Sequence, residues 1–150
     1  MDFEKYMREA LELAAEAARA GEVPVGCVVV GPSGDIIGRG RNRREEKRSV
    51  SSHAEIEAME DACRALGSWR LDGCALFVTL EPCPMCAGAL INARVSTLVY
   101  GAREPLTGSC ASVLNLFEEN YPSKPAIYAG VLEKECRELM TDFFSGLRQA

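Results

Sequence analysis

No uninterrupted apolar run in these 150 residues approaches the ~20 needed to cross a bilayer, and the start, Met1-Asp2-Phe3-Glu4-Lys5, lacks a basic stretch followed by an apolar one. A soluble, cytoplasmic protein with no membrane partner is expected. Internal repeats, linkers and low-complexity tracts are also missing, so the chain reads as a single domain over 1–150. Positive charge is in short supply: 17 Lys and Arg against 22 Asp and Glu leave a net charge of -5. That balance excludes a coat of positive charge for indiscriminate nucleic-acid binding. One local run departs from it, Arg39, Arg41, Arg43, Arg44, Lys47 and Arg48, diluted by Glu45 and Glu46. The seven cysteines are odd in number and follow no export signal, which argues against a disulfide scaffold and for reduced thiols. Histidine occurs once, at position 53.

What is present has the periodicity of a layered α/β domain. Phe3, Met7, Leu11, Ala14 and Ala18 recur at three- and four-residue intervals, which predicts a helix over 3–20 ending at Gly21. Val25–Val30 reads as a buried strand, and Gly31-Pro32-Ser33-Gly34 turns it into a second strand over 35–41. A helix is predicted from Ser52 to Leu66, with Ser51 or Ser52 as N-cap and Gly67 as terminator. A strand over 74–80, a helix over 84–93 and strands over 96–100 and 126–130 follow, and an apolar stripe from Leu132 to Leu147 marks the last helix. This order implies an α/β/α layered domain around a mixed sheet.

The residues that carry chemistry are His53-Ala54-Glu55 and Pro82-Cys83-Pro84-Met85-Cys86. Cys83 and Cys86 lie on one face at the start of a predicted helix, where the helix dipole favours thiolate over thiol. A redox site would use the same geometry but would need neither His53 nor Glu55. Two thiolates and one imidazole make three protein ligands, leaving the fourth zinc position for water, whereas structural zinc sites close with four. Glu55 then stays free to shuttle protons. Residues i and i+2 diverge on a regular helix, so His53 and Glu55 share a site only if the helix begins at His53. The pattern His-x-Glu followed by Pro-Cys-x-x-Cys is the signature of zinc nucleobase deaminases.

The chain resembles the bacterial tRNA-specific adenosine deaminases along nearly its whole length. The resemblance rests on Glu22-Val23-Pro24-Val25-Gly26, Asn42, His53-Ala54-Glu55, Trp69-Arg70-Leu71, Thr79 to Ala89, Tyr100-Gly101-Ala102-Arg103, Gly130-Val131-Leu132 and Asp142-Phe143-Phe144. It implies a three-layer α/β/α cytidine deaminase-like fold with a mixed five-stranded sheet. It further implies one Zn2+ per chain on His53, Cys83 and Cys86, and conversion of the wobble adenosine of a tRNA anticodon loop to inosine, with Glu55 as proton shuttle to zinc-activated water. Asn42 would hydrogen-bond the purine, Val23 and Ala54 would line the pocket, and the enzyme would be a homodimer.

Two features depart from that family. Glu104-Pro105-Leu106 stands where an aspartate and then a lysine are usual, and Ser145 to Ala150 offers one arginine instead of a basic tail. Both weaken phosphate neutralisation more than deamination. A second reading is therefore a deaminase of a free base or nucleoside such as guanine or cytidine. A third, a non-catalytic zinc-stabilised subunit, is opposed by Glu55. The basic run from Arg39 to Arg48 reads either as phosphate contacts or as a solvated, salt-bridged loop. Trp69 is expected to pack in the core, and of Phe143 and Phe144 one is expected in the core and the other near the nucleotide.

Overall fold

The computed structural model describes residues 1–149; Ala150, the expected domain end, lies outside the described residues, as do the side chains of Arg148 and Gln149. Helix α1 spans Phe3–Arg19, and strands β1 (Gly26–Val30) and β2 (Ile36–Arg41) form the hairpin. A four-residue helix, α2 (Arg44–Lys47), interrupts the basic run, and α3 (Ala54–Leu66) follows. Then come β3 (Ala75–Leu80), α4 (Pro84–Asn92), β4 (Thr97–Ala102), a 3-10 turn over Leu116–Glu118, β5 (Ala126–Ala129) and α5 (Glu133–Gln149). Helix α2 is absent from the sequence reading, because four residues are too few to show a period.

The strands form one sheet in the order β2-β1-β3-β4-β5. β1 is antiparallel to both β2 and β3, while β3, β4 and β5 run parallel, so the sheet is mixed as expected. Alternate side chains of the central strands enter two separate cores. Cys27, Val29, Leu76, Val78, Leu98 and Tyr100 meet α3 and α4 on one face. Val28, Val30, Phe77 and Val99 meet α1 and the Cys136 turn of α5 on the other. The result is a three-layer α/β/α architecture. Full burial of each large apolar side chain stabilises it by about 1.5–3 kcal/mol.

One contact sets the depth of the helix that carries the candidate ligand. A Cβ on Gly40 of β2 would stand 2.5 Å from the carbonyl oxygen of Ala54 and from the amide nitrogen of Ala58. Only glycine lets the backbone of α3 rest directly on the strand.

Candidate active site

Two helices begin at one point. His53 is the N-cap of α3 and Cys83 is the N-cap of α4, both with extended backbone (φ -78, ψ 156 and φ -75, ψ 174). Pro84 opens α4, where no backbone donor is required. The expected cap of α3, Ser51 or Ser52, lies one or two residues too early. At His53 the chain leaves the helix, and its imidazole turns to the cysteines and makes no capping bond. That early break lets His53 and Glu55 share a site although they are two residues apart.

The Nδ1 atom of His53 lies 3.6 Å from the Sγ atoms of both Cys83 and Cys86. With Zn–S of about 2.3 Å and Zn–N of about 2.0–2.1 Å, a tetrahedral angle at the metal demands an S···N separation of about 3.6 Å. The three donor atoms all lie within 4.8 Å of one another, with Cys86 buried and the other two partly exposed. Hydrogen bonds from Cys86 and from His53 pull the Cys83 thiol down to about 4. Its shared hydrogen bond with Cys83, together with burial, pushes the Cys86 thiol up. A dication among these donors is what lets both ionise. The residues therefore fit zinc.

Glu55 stands beside this cluster, buried at 4% exposure. Burial is the main cause that pushes its carboxyl up to about 7, and the Cys83 charge adds to it. His53, Glu55, Ala54 and Cys83 share the wall of a cavity of about 550 Å³ with Val23 and Asn42. Asn42 is buried; its Nδ2 donates to the Val23 carbonyl oxygen (3.3 Å) and its Oδ1 accepts from the Arg44 amide (3.1 Å).

The rim has two segments, each tied to a buried carboxylate. Glu22, 2% exposed, follows the C-terminal turn of α1 and accepts from the backbone amides of Glu45 (3.1 Å) and Glu46 (2.7 Å). It thereby seats the 42–46 segment. Glu81 does the same for the 104–112 loop, whose Glu104 carboxylate accepts from the Leu106 amide at 2.9 Å. These two residues were missed as site-builders in the sequence. Their partners are backbone groups 23 to 31 residues away, which leave no periodic trace.

Among the described residues, three of the six cations of the basic run are paired. Arg41 and Arg43 both bind Glu46 (3.0 and 2.7 Å), and Lys47 binds Glu57 (2.8 Å). Arg44 faces the cavity, as does Arg103 from the opposite rim, and among the described residues neither makes an ion pair. Helix α5 closes the third side with Met140, Thr141 and Phe144. Phe144 is 37% exposed at the cavity, but Phe143, half-buried, does not join either core as expected and instead meets the Phe144 ring edge to face at 5.4 Å. Trp69, expected in the core, is 59% exposed. It flanks a shallow apolar groove between α3 and α4 with Ile56, Met59 and Ala93. The seven cysteines are all free thiols.

Residues 1–148 match the MafB19-like deaminase family. A tRNA-specific adenosine deaminase of Bacillus subtilis (strain 168) is 46% identical over 147 residues, covering 97% of this chain and 91% of that protein. Among solved structures, one from a study of A-to-I editing by tRNA:A34 deaminases at the wobble position of transfer RNA superimposes with a TM-score of 0.87. It is 42% identical and covers 90% of this chain and 98% of its own. The guanine deaminase from Nitrosomonas europaea gives a TM-score of 0.84 at 28% identity, covering 95% of this chain and 84% of its own. With its three-layer fold, its zinc-type donor cluster and this similarity, the chain belongs to the MafB19-like deaminases, as a member of the tRNA-specific adenosine deaminase family.

Proposed function

We propose that this chain, acting as a single domain over 1–150, deaminates the wobble adenosine of a tRNA anticodon loop to inosine in the cytoplasm. The observation that carries the reading is the placement of Glu55. It is a buried carboxylate beside a His-Cys-Cys cluster, at the wall of an open cavity whose opposite rims carry Arg44 and Arg103. The name of the Bacillus subtilis relative supports the RNA substrate. No helix among the described residues is long and apolar enough to cross a membrane, which is compatible with that site of action.

His53, Cys83 and Cys86 would hold one zinc ion per chain. When bound, zinc supplies Lewis acidity, which makes water a nucleophile at neutral pH. Glu55 takes the proton that water loses on attacking the ring carbon bearing the amino group. It delivers that proton to the adjacent ring nitrogen and then helps the amino group leave as ammonia. Asn42 orients the purine through the hydrogen-bonding capacity that Val23 and Arg44 leave unused, while Val23 and Ala54 confine the ring. The apolar groove beside Trp69 supports a homodimer with a second copy of the chain.

One observation favours the second reading, a free-base deaminase: Leu106, where the family carries a lysine, is 83% exposed at the rim and brings no charge to a phosphate. The experiment is to incubate zinc-loaded protein with an anticodon stem-loop carrying a wobble adenosine and, in parallel, with guanine, adenosine and cytidine. Inosine in the RNA alone is expected. Turnover of guanine with untouched RNA would replace the proposal by the second reading.

A further inference from the structure

Glu81 is a charged side chain with 2% of its surface exposed and, among the described residues, no cationic partner. A buried carboxylate without such partners must find hydrogen bonds elsewhere. One of its oxygens, Oε1, accepts from the Glu104 amide at 3.1 Å and from the Ser112 hydroxyl. The other, Oε2, accepts from the amides of Cys110, Ala111 and Ser112, each at 3.0 Å. Three consecutive amides converging on one oxygen form an anion-binding nest. Burial pushes the Glu81 carboxyl up, but the bonds from Ser112, Glu104 and Cys110 outweigh it and hold the group below the usual carboxylate range.

The loop is thus folded around a side chain of β3's C-terminal end. A Cβ on Gly108 would stand 2.5 Å from Glu81 Oε2 and 2.5 Å from the Glu104 carbonyl oxygen, so the wrap closes only with glycine there. The Ser109 amide adds a bond to the Pro82 carbonyl oxygen at 2.9 Å. Between the two anchored ends lie Pro105 to Thr107, which line the cavity together with Arg103 and Glu104 at the first anchor. Beyond Pro82 comes Cys83. The carboxylate that holds the rim is therefore two residues from a member of the donor cluster, on the same stretch of backbone.

We propose that Glu81 is a positioning residue for the substrate: its carboxylate fixes the 103–107 rim relative to the His53, Cys83 and Cys86 cluster, so that a nucleotide resting on the rim presents its base to Glu55. This inference rests on the deaminase reading given above. Glu81 touches no reacting atom; it acts through the loop.

The test uses the zinc-loaded full chain. Glu81→Gln keeps the shape but turns an amide nitrogen toward amide donors, and losing charge-assisted hydrogen bonds of this kind costs roughly tenfold or more. The Michaelis constant for the wobble-adenosine stem-loop should rise by about that factor. The turnover number at saturating RNA should fall less, and zinc content should be unchanged. Amide exchange over residues 104–112 should accelerate while exchange in α3 and α4 stays as in the wild type. Ser112→Ala should give a smaller change of the same kind, and the double variant should add little to Glu81→Gln, since both act through one contact. Unchanged exchange over 104–112, or a loss confined to the turnover number, would overturn the proposal. If Glu81→Gln does not fold, Ser112→Ala decides by the same two measurements. Should the wild type leave the stem-loop untouched, the function fails, and the exchange experiment still decides the role of Glu81.

Discussion

The Asn42 side chain donates to the Val23 carbonyl oxygen across 3.3 Å, which joins the segment after β2 to the segment before β1 at the mouth of the cavity. Because Arg44 N–H claims its oxygen at 3.1 Å, the amide is held in one orientation with one N–H and one lone pair to spare. Asn42→Asp would set a carboxylate oxygen against the Val23 carbonyl. It is expected to raise the Michaelis constant for the stem-loop by about 10- to 100-fold, the loss of one buried donor. Zinc per chain, measured by elemental analysis, should be unchanged, and a variant that binds RNA normally would remove Asn42 from the purine site.

Removal of a single ligand should be visible in the metal before it is visible in activity. His53→Ala, Cys83→Ala and Cys86→Ala each leave two donors where catalytic zinc sites use three. Each is expected to lose zinc during dialysis against a mild chelator that leaves the wild type loaded at about one ion per chain. Full retention in the Cys86 variant would show that the ligand set is wrong.

Glu55→Gln should separate metal from chemistry. The amide fits the same buried place but cannot take a proton, and general acid-base help is typically worth about 10²- to 10⁴-fold. Here one residue serves more than one transfer, so the single-turnover rate should fall by at least that much while zinc content and melting temperature hold. A rate within tenfold of wild type would exclude the proton-shuttle role.

Salt dependence distinguishes the cations that face the cavity from those already paired. Each phosphate contact adds roughly 0.7 to 0.9 to the logarithmic slope of affinity against salt. Arg44→Ala and Arg103→Ala should each flatten the slope for stem-loop binding. Arg43→Ala and Lys47→Ala should leave it nearly unchanged, since those cations are held by Glu46 and Glu57. The reverse pattern would place the RNA on the outer face of α2.

The metal-type cluster and the sheet could be read from the sequence because their signals are local. His53 and Glu55 are two residues apart, Cys83 and Cys86 three, and the strands run for four to six residues, those at the centre of the sheet nearly continuous in apolar character. The start of α3 at Ala54 could be inferred only as a condition for the site, since the serines before it make better caps than histidine. The rim resisted reading for a different reason. Glu22 and Glu81 look like surface carboxylates in a sequence, and burial by backbone amides from distant loops carries no residue code. Trp69 misled in the opposite direction: an aromatic beside the fully buried Leu71 suggests core, yet its ring lies along the groove with Arg70 stacked over it at 5.5 Å.

The seat of α3 on Gly40 makes metal affinity and thermal stability separable traits. Where a helix is spaced from a sheet by side chains, every change of core volume moves it. Here the backbone of the first turn, next to His53, already rests against the strand and cannot approach further. Repacking farther along the helix, at Met59, should shift the melting temperature while His53 keeps its place. Such a hard stop lets the interior of the domain drift through sequence space without detuning the tetrahedron at its edge.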